Sequence, residues 1–192
     1  MAGRQAKFVA QRELQRVLRQ AALGPFPKRD RAMVLLSIYA GLRACEIARL
    51  EWSMVLDARG RLSDVIEIHD RIAKKRGGRR IPMHPELRAA LSTLRERGHM
   101  CGPVIRSLRT GEALKANSVV NLFIELYRRA DVVGCSSHSG RRTFITRAAR
   151  LAHQAGASLR DVQLLAGHRS IETTQGYIDG DSDAQRLLVR RL

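Results

Sequence analysis

The spacing of apolar residues divides the chain into helical stretches interrupted once by a β-like region. Between residues 7 and 24, Phe8, Leu14, Val17, Leu18 and Ala21 recur near helical spacing, and Gly24, Pro25 and Pro27 stop the pattern. RDRAMVLLSIYAG (29–41) is apolar nearly all round, which predicts a buried helix ending at Gly41. RACEIARL (43–50) predicts a short third helix running into Trp52. Then the period changes. MVLDARGRLSDVIEIHD (54–70) carries two short apolar runs around a glycine turn, and IAKKRGGRRIP (72–82) predicts a hairpin with Gly77-Gly78 at its tip. Helical patterns resume in PELRAALSTLRERG (85–98), ANSVVNLFIELYRRA (116–130), SHSGRRTFITRAARLA (137–152), SLRDVQLLAG (158–167) and DAQRLLVRRL (183–192). Pro85 suits a first helical turn, where no amide donor is needed. No repeat or low-complexity linker divides the chain. The pattern predicts one α+β domain, mostly helical, with a small three-stranded antiparallel sheet.

Composition sharpens this picture through charge. The 192 residues hold 35 Lys plus Arg against 18 Asp plus Glu, a net +17, at an ordinary 44% hydrophobic content. Such a surplus favours a polyanionic partner, nucleic acid first, because neutralising phosphates releases counterions. A basic membrane-surface protein would concentrate its charge on one amphipathic helix or tail, whereas arginine here is spread along the whole length. The longest apolar run, AMVLLSIYAGL (32–42), is too short to span a bilayer, and the N-terminus lacks a secretory signal core. Cys45, Cys101 and Cys135 are odd in number and widely spaced, which predicts reduced, cytoplasmic thiols and no zinc site.

Six side chains could carry chemistry. Taken singly each has an ordinary role: Arg43 as a cap, Lys74 in a solvated loop, His138 and Arg141 as a chance H-x-x-R one turn apart, His168 after Gly167 as a helix cap, Tyr177 as a packing residue. Taken together, two guanidinium forks, two imidazoles, an ammonium and a phenol suit a phosphodiester. Arginines clamp non-bridging oxygens without titrating, while a tyrosine and a lysine can serve as nucleophile and leaving-group acid. Acidic residues are few and scattered, which disfavours a two-metal nuclease, and His69, His84, His99 and His153 show no ligand spacing.

The ordered set GLRACEIARLEW, IAKKRGGRRIPM, HSGRRTFITRAA and LLAGHRSIETTQGYI resembles the catalytic domain of the tyrosine recombinases, the phage integrase family, over nearly the whole chain. The resemblance implies that Tyr177 attacks the scissile phosphate to give a 3′-phosphotyrosyl link and a free 5′-hydroxyl. It implies that Arg43 and Arg141 hold the non-bridging oxygens and that Lys74 protonates the leaving oxygen, with Lys75 the alternative. His138 would assist proton transfer, His168 would hydrogen-bond the phosphate, and Glu46 would support the site from behind. Lys75, Arg76, Arg79 and Arg80 would add backbone contacts to DNA without reading sequence. No cofactor or metal is implied, and rejoining needs no ATP. Family members usually carry a further N-terminal domain. Here the R-x-x-E box arrives by residue 43, so residues 1–192 read as the catalytic domain alone. The final segment, 182–192, would dock onto a neighbouring subunit. The partners implied are double-stranded DNA, copies of the chain in a tetrameric synapse, and accessory DNA-bending proteins, all in the cytoplasm at the nucleoid. A type IB topoisomerase and a catalytically idle DNA-binding remnant are the competing readings. Two positions depart from the family pattern: Ala166 and Gly140 each stand where leucine is usual, and Gly140 is expected to loosen its helix start.

Overall fold

Helix α2 (Pro27–Tyr39) is the centre of the first part of the molecule, because beyond its charged first turn the sequence from Ala32 to Ile38 has no polar side to expose. The computed structural model describes residues 6–73, 77–95, 101–107, 109–177, and Arg186, Val189 and Arg190. These fall into two compact units, Met1–Phe144 and Ile145–Leu192. In the first, α2 is buried from Ala32 to Ile38 and packs against α1 (Gln11–Leu23), α3 (Ala44–Arg49) and α4 (Pro85–Leu94). α1 buries Leu14, Val17, Leu18 and Ala21, one apolar stripe at helical spacing, and α5 (Ala116–Arg129) closes against α1 and α3. Proline occupies the first turn of both α2 and α4, as its fixed φ favours.

The architecture is α+β, mostly helical with a small antiparallel sheet. Among the described residues the sheet has two strands, not three. β1 (Val65–Ile68) pairs with β2 (Arg79–Pro82) in a register that sets Glu67 opposite Arg80 and Ile66 opposite Ile81. The expected third strand is replaced by a closed loop. Leu56 and Leu62 make an isolated bridge, and the Asp57 carboxylate accepts the amides of Arg59 and Arg61 at 2.9 and 2.8 Å. This local turn satisfies the backbone groups that a longer ladder would have used. The expected hairpin also shifts: residues 72–73 are a turn, and β2 pairs with 65–68 instead. From α4, Arg88 donates to the carbonyls of Leu62 and Ser63 (2.7 and 2.9 Å), and Arg95 donates to that of Gly60 (2.7 Å). The loop is thereby tied to the helix.

Helix α6 (Ser139–Ala152) begins in the first unit, and the division between the units falls within it. The second unit contains its later turns, then α7 (Leu159–Ala166) and α8 (Ile171–Gln175), which pack together. The expected C-terminal segment 182–192 lies outside the described residues apart from Arg186, Val189 and Arg190, as do Lys74, Lys75 and Arg76. Among the described residues, no helix is long and apolar enough to cross a membrane.

Gly140, expected to loosen its helix start, sits at a close approach between two helices. A Cβ there would lie 2.1 Å from Ser37 Oγ and 2.8 Å from Ser37 Cβ, so glycine lets the start of α6 approach α2 closely. Ser37 is fully buried, and its hydroxyl has no hydrogen-bond partner among the described residues. Propensity alone would make Gly140→Ala stabilising. Packing reverses the sign: urea unfolding should show a loss of about 1–3 kcal/mol. Ser37→Ala should be neutral or stabilising, since it removes an unpaired buried hydroxyl. A Gly140→Ala variant as stable as the parent would mean that the helices do not cross so closely.

Candidate active site

In the first unit the site is built on the turn between α2 and α3. Gly41 takes a left-handed conformation (φ +62°), and a Cβ on it would lie 2.4 Å from the Phe144 ring. Only glycine meets both demands. Its buried carbonyl accepts from Arg141 Nη1 at 2.8 Å. Two residues later Arg43 caps α3, and Glu46 in the first turn reaches back to it. Glu46 Oε2 accepts the Arg43 amide at 2.9 Å, and Oε1 accepts Arg43 Nη1 at 3.0 Å. The same carboxylate takes the fork of Arg79 from β2, Nη1 on Oε1 and Nη2 on Oε2, each at 3.0 Å. Glu46 and the Arg79 side chain are 0% and 3% exposed. Burial alone would push the Glu46 carboxyl up, but the pull of Arg79, and then of Arg43, holds it below the usual carboxylate range.

Arg43 and Arg141 are therefore brought together on one stretch of backbone, with Arg141 buried and Arg43 partly exposed. His138 stands exposed at the residue before α6, where Ser136 Oγ accepts its amide (3.3 Å) and its own carbonyl accepts the Arg142 amide (2.9 Å). Arg79, expected to add a backbone contact to DNA, is buried and paired with Glu46. Strand alternation turns it inward beside Ile81, while Arg80 points outward to Glu67 at 3.2 Å. The period-2 pattern of RRIP carried that signal; its acidic partner was not legible.

In the second unit Tyr177 follows α8, a short helix absent from the sequence expectation. Its signal was Ser170, whose hydroxyl accepts the Thr173 amide (3.4 Å) and caps the helix. Gly167 ends α7 in the left-handed conformation (φ +63°), and the His168 amide bonds back to Gln163 O at 3.1 Å. His168 Nδ1 meets Thr174 Oγ1 at 3.0 Å, and its ring stacks on Tyr177 with centroids 5.3 Å apart. The Tyr177 backbone is held at both ends. Its amide donates to Thr174 O at 3.1 Å, and its carbonyl accepts from Thr146 Oγ1 at 3.2 Å. Sequence reasoning missed Thr174 and Thr146.

The phage integrase family model matches residues 7–183. No curated protein sequence matches the chain. Among solved structures, XerA recombinase is similar at 20% identity and a TM-score of 0.74, over 98% of this chain and 65% of that one. The Tn1549 transposon integrase, in complex with a circular intermediate DNA, is similar at 19% identity and a TM-score of 0.74, over 100% and 67%. A lambda integrase dimer bound to a COC′ core site is similar at 18% identity and a TM-score of 0.71, over 95% and 50%. The chain thus spans about two thirds of the first two relatives and half of the third. The likeness is one of fold.

Because the Glu46 pKa is depressed in the fold, its ionised form contributes stability above the ordinary Glu pKa of about 4.3. That contribution is lost as pH falls through the lower, folded value. Glu46→Gln should cost about 3–5 kcal/mol at neutral pH by leaving buried guanidinium charge uncompensated. In urea titrations the gap to the parent should shrink on acidification below pH ~4. A gap independent of pH would show that the ionised carboxylate is not what stabilises this turn.

Proposed function

The chain belongs to the phage integrase family, and from that premise we propose that it cleaves and rejoins DNA strands at specific sites through a 3′-phosphotyrosyl intermediate. Tyr177 Oη attacks the scissile phosphorus while the bond from phosphorus to the 5′-oxygen breaks. His138 assists removal of the phenolic proton, and Lys74, or Lys75 in its place, protonates the departing 5′-oxygen. Arg43 and Arg141 neutralise the charge that builds on the non-bridging oxygens, where fixed donors act most strongly. His168 donates to the same phosphate. Rejoining reverses these steps, with a 5′-hydroxyl attacking the phosphotyrosine. The link conserves the phosphodiester bond energy, so neither ATP nor a metal is invoked.

One observation carries this reading: Glu46 and the Gly41 carbonyl fix two arginines on adjacent backbone. Guanidinium forks held that way suit the two non-bridging oxygens of one phosphodiester, on which charge grows in the five-coordinate transition state, better than an extended polyanion, for which exposed and separate cations suffice. The Tyr177–His168 stack supports the roles assigned in the second unit. A neutral His168 that donates to phosphate from Nε2 accepts at Nδ1 from the Thr174 hydroxyl, and the 3.0 Å separation suits that arrangement. The two units serve one reaction as a single catalytic domain. Exposed Arg80, with Lys75 and Arg76, adds backbone contacts. Double-stranded DNA is the substrate, copies of the chain assemble on it as a tetrameric synapse with accessory DNA-bending proteins, and the place of action is the nucleoid.

Covalent trapping tests the reading. Nicked duplexes drawn from DNA flanking the protein's own gene should yield a denaturant-resistant adduct with the parent protein. Tyr177→Phe should reduce the adduct to background while a gel shift on the same duplexes persists. Binding without adduct in the parent would instead favour an idle DNA-binding protein, and multi-turnover relaxation of supercoiled DNA by a monomer would favour a topoisomerase.

A further inference from the structure

We infer that Arg79 is a positioning residue: its guanidinium fork fixes Glu46, and Glu46 in turn fixes Arg43 for its encounter with substrate. The substrate is the phosphodiester of the reading above, on which this inference rests. Each oxygen of the Glu46 carboxylate accepts one bond from each arginine. Oε1 takes Arg79 Nη1 and Arg43 Nη1, both at 3.0 Å; Oε2 takes Arg79 Nη2 at 3.0 Å and the Arg43 amide at 2.9 Å. The carboxylate plane is thus set by Arg79 from behind, and its remaining acceptor directions face Arg43. A planar fork holds that plane; an ammonium, as a point charge, does not. Arg79 is well suited to this work because β2 carries it inward, opposite Ile68 in the register, where its side chain is 3% exposed.

The same arrangement keeps Glu46 charged. Among the described residues, Arg79 from β2 and Arg43 at the head of α3 are the charged groups that act on it, and burial works against both. Without Arg79 the buried carboxyl moves up toward neutrality. Once protonated it holds Arg43 less well, because its negative charge is gone and one oxygen becomes a donor.

The test uses the full chain with Arg79→Lys, Arg79→Met and the double variant Arg79→Met/Glu46→Gln, on the trapping duplex and by 13C titration of the Glu46 carboxyl. Arg79→Lys should bind with an unchanged salt slope yet form adduct about 10²-fold more slowly at saturating duplex, the scale of loss for a misplaced group. Arg79→Met should show Glu46 titrating at higher pH, with a matching rise of adduct rate with pH that the parent lacks. The double variant should regain stability relative to Arg79→Met without regaining rate, which a purely structural role would not produce. Should Arg79→Met fail to fold, the rate of Arg79→Lys decides. Parent-like rate in Arg79→Lys overturns the inference. So does an Arg79→Met variant whose salt slope is smaller by about 0.9 at unchanged saturated rate, because that is the signature of a lost phosphate contact. If the parent forms no adduct on any duplex, the recombinase reading falls separately, and a Glu46 titration unmoved by Arg79→Met would still refute the positioning role.

Discussion

The first unit depends on one buried carboxylate. Glu46 lies in the first turn of a six-residue helix too short to hold its shape alone, yet it joins the α2–α3 turn to the sheet through Arg79. The usual difficulty with such an interaction is desolvation, since moving an ion pair out of water can cost more than the pair returns. Here both carboxylate oxygens are doubly satisfied and one partner is a bidentate fork, the conditions under which the pair can hold its ground. The net contribution to stability is modest by comparison with the cost of removing one member. What the carboxylate supplies is placement. It converts the position of a strand into the orientation of an arginine on the far side of the turn.

This changes how the charge of the chain should be understood. A net +17 invites the view that arginines cover a DNA-facing surface. Several do something else. Arg88 and Arg95 fasten the 57–63 loop to α4, Arg16 binds the carbonyls of Ala130 and Asp131 at the end of α5, and Arg29 is buried against Asp30 beneath the Phe26 ring. Carbonyls at helix ends and loops carry partial negative charge, and a guanidinium answers two of them at once. In the proposed function, the attraction to DNA would therefore come from a smaller set of exposed cations than the composition suggests.

How much was legible follows the same division between local and distant causes. Helices announced themselves through period, proline and glycine: α1, α2, α4, α5 and α7 rest on signals within their own spans. The motif residues were legible too, but only as a set. What escaped were features fixed by a partner remote in sequence. Arg79 looked like its neighbours in a basic run, and only pairing with 65–68 and the presence of Glu46, 33 residues earlier, turned it inward. Gly140 read as a weak helix start because Ser37, which makes the gap it fills, lies in another helix. The third strand failed for a local reason that propensity does not weigh: Asp57 satisfies the loop amides itself. α8 was hidden by its small residues, which have no apolar stripe to advertise a helix.

The two clusters differ in how firmly they are held, and the difference suits the proposed chemistry. In the first unit the arginines are locked by buried, charge-assisted bonds. In the second, the tyrosine follows a five-residue helix and is retained by a ring stack and single neutral hydrogen bonds. Such contacts contribute roughly 1 kcal/mol each, so local rearrangement around Tyr177 is inexpensive while the arginine cluster resists it. A group that stabilises transition-state charge works best when it does not move, since reorganisation at the moment of reaction would raise the barrier. A nucleophile that must become covalently joined to DNA, and later be released unchanged, has the opposite requirement. It must reach phosphorus, stay attached while strands exchange, and return. Rigid guanidiniums and a lightly tethered phenol meet both requirements in one chain, because Arg43 is held by a charged partner while the Tyr177 backbone is held by uncharged groups, Thr174 nearby and Thr146 31 residues away.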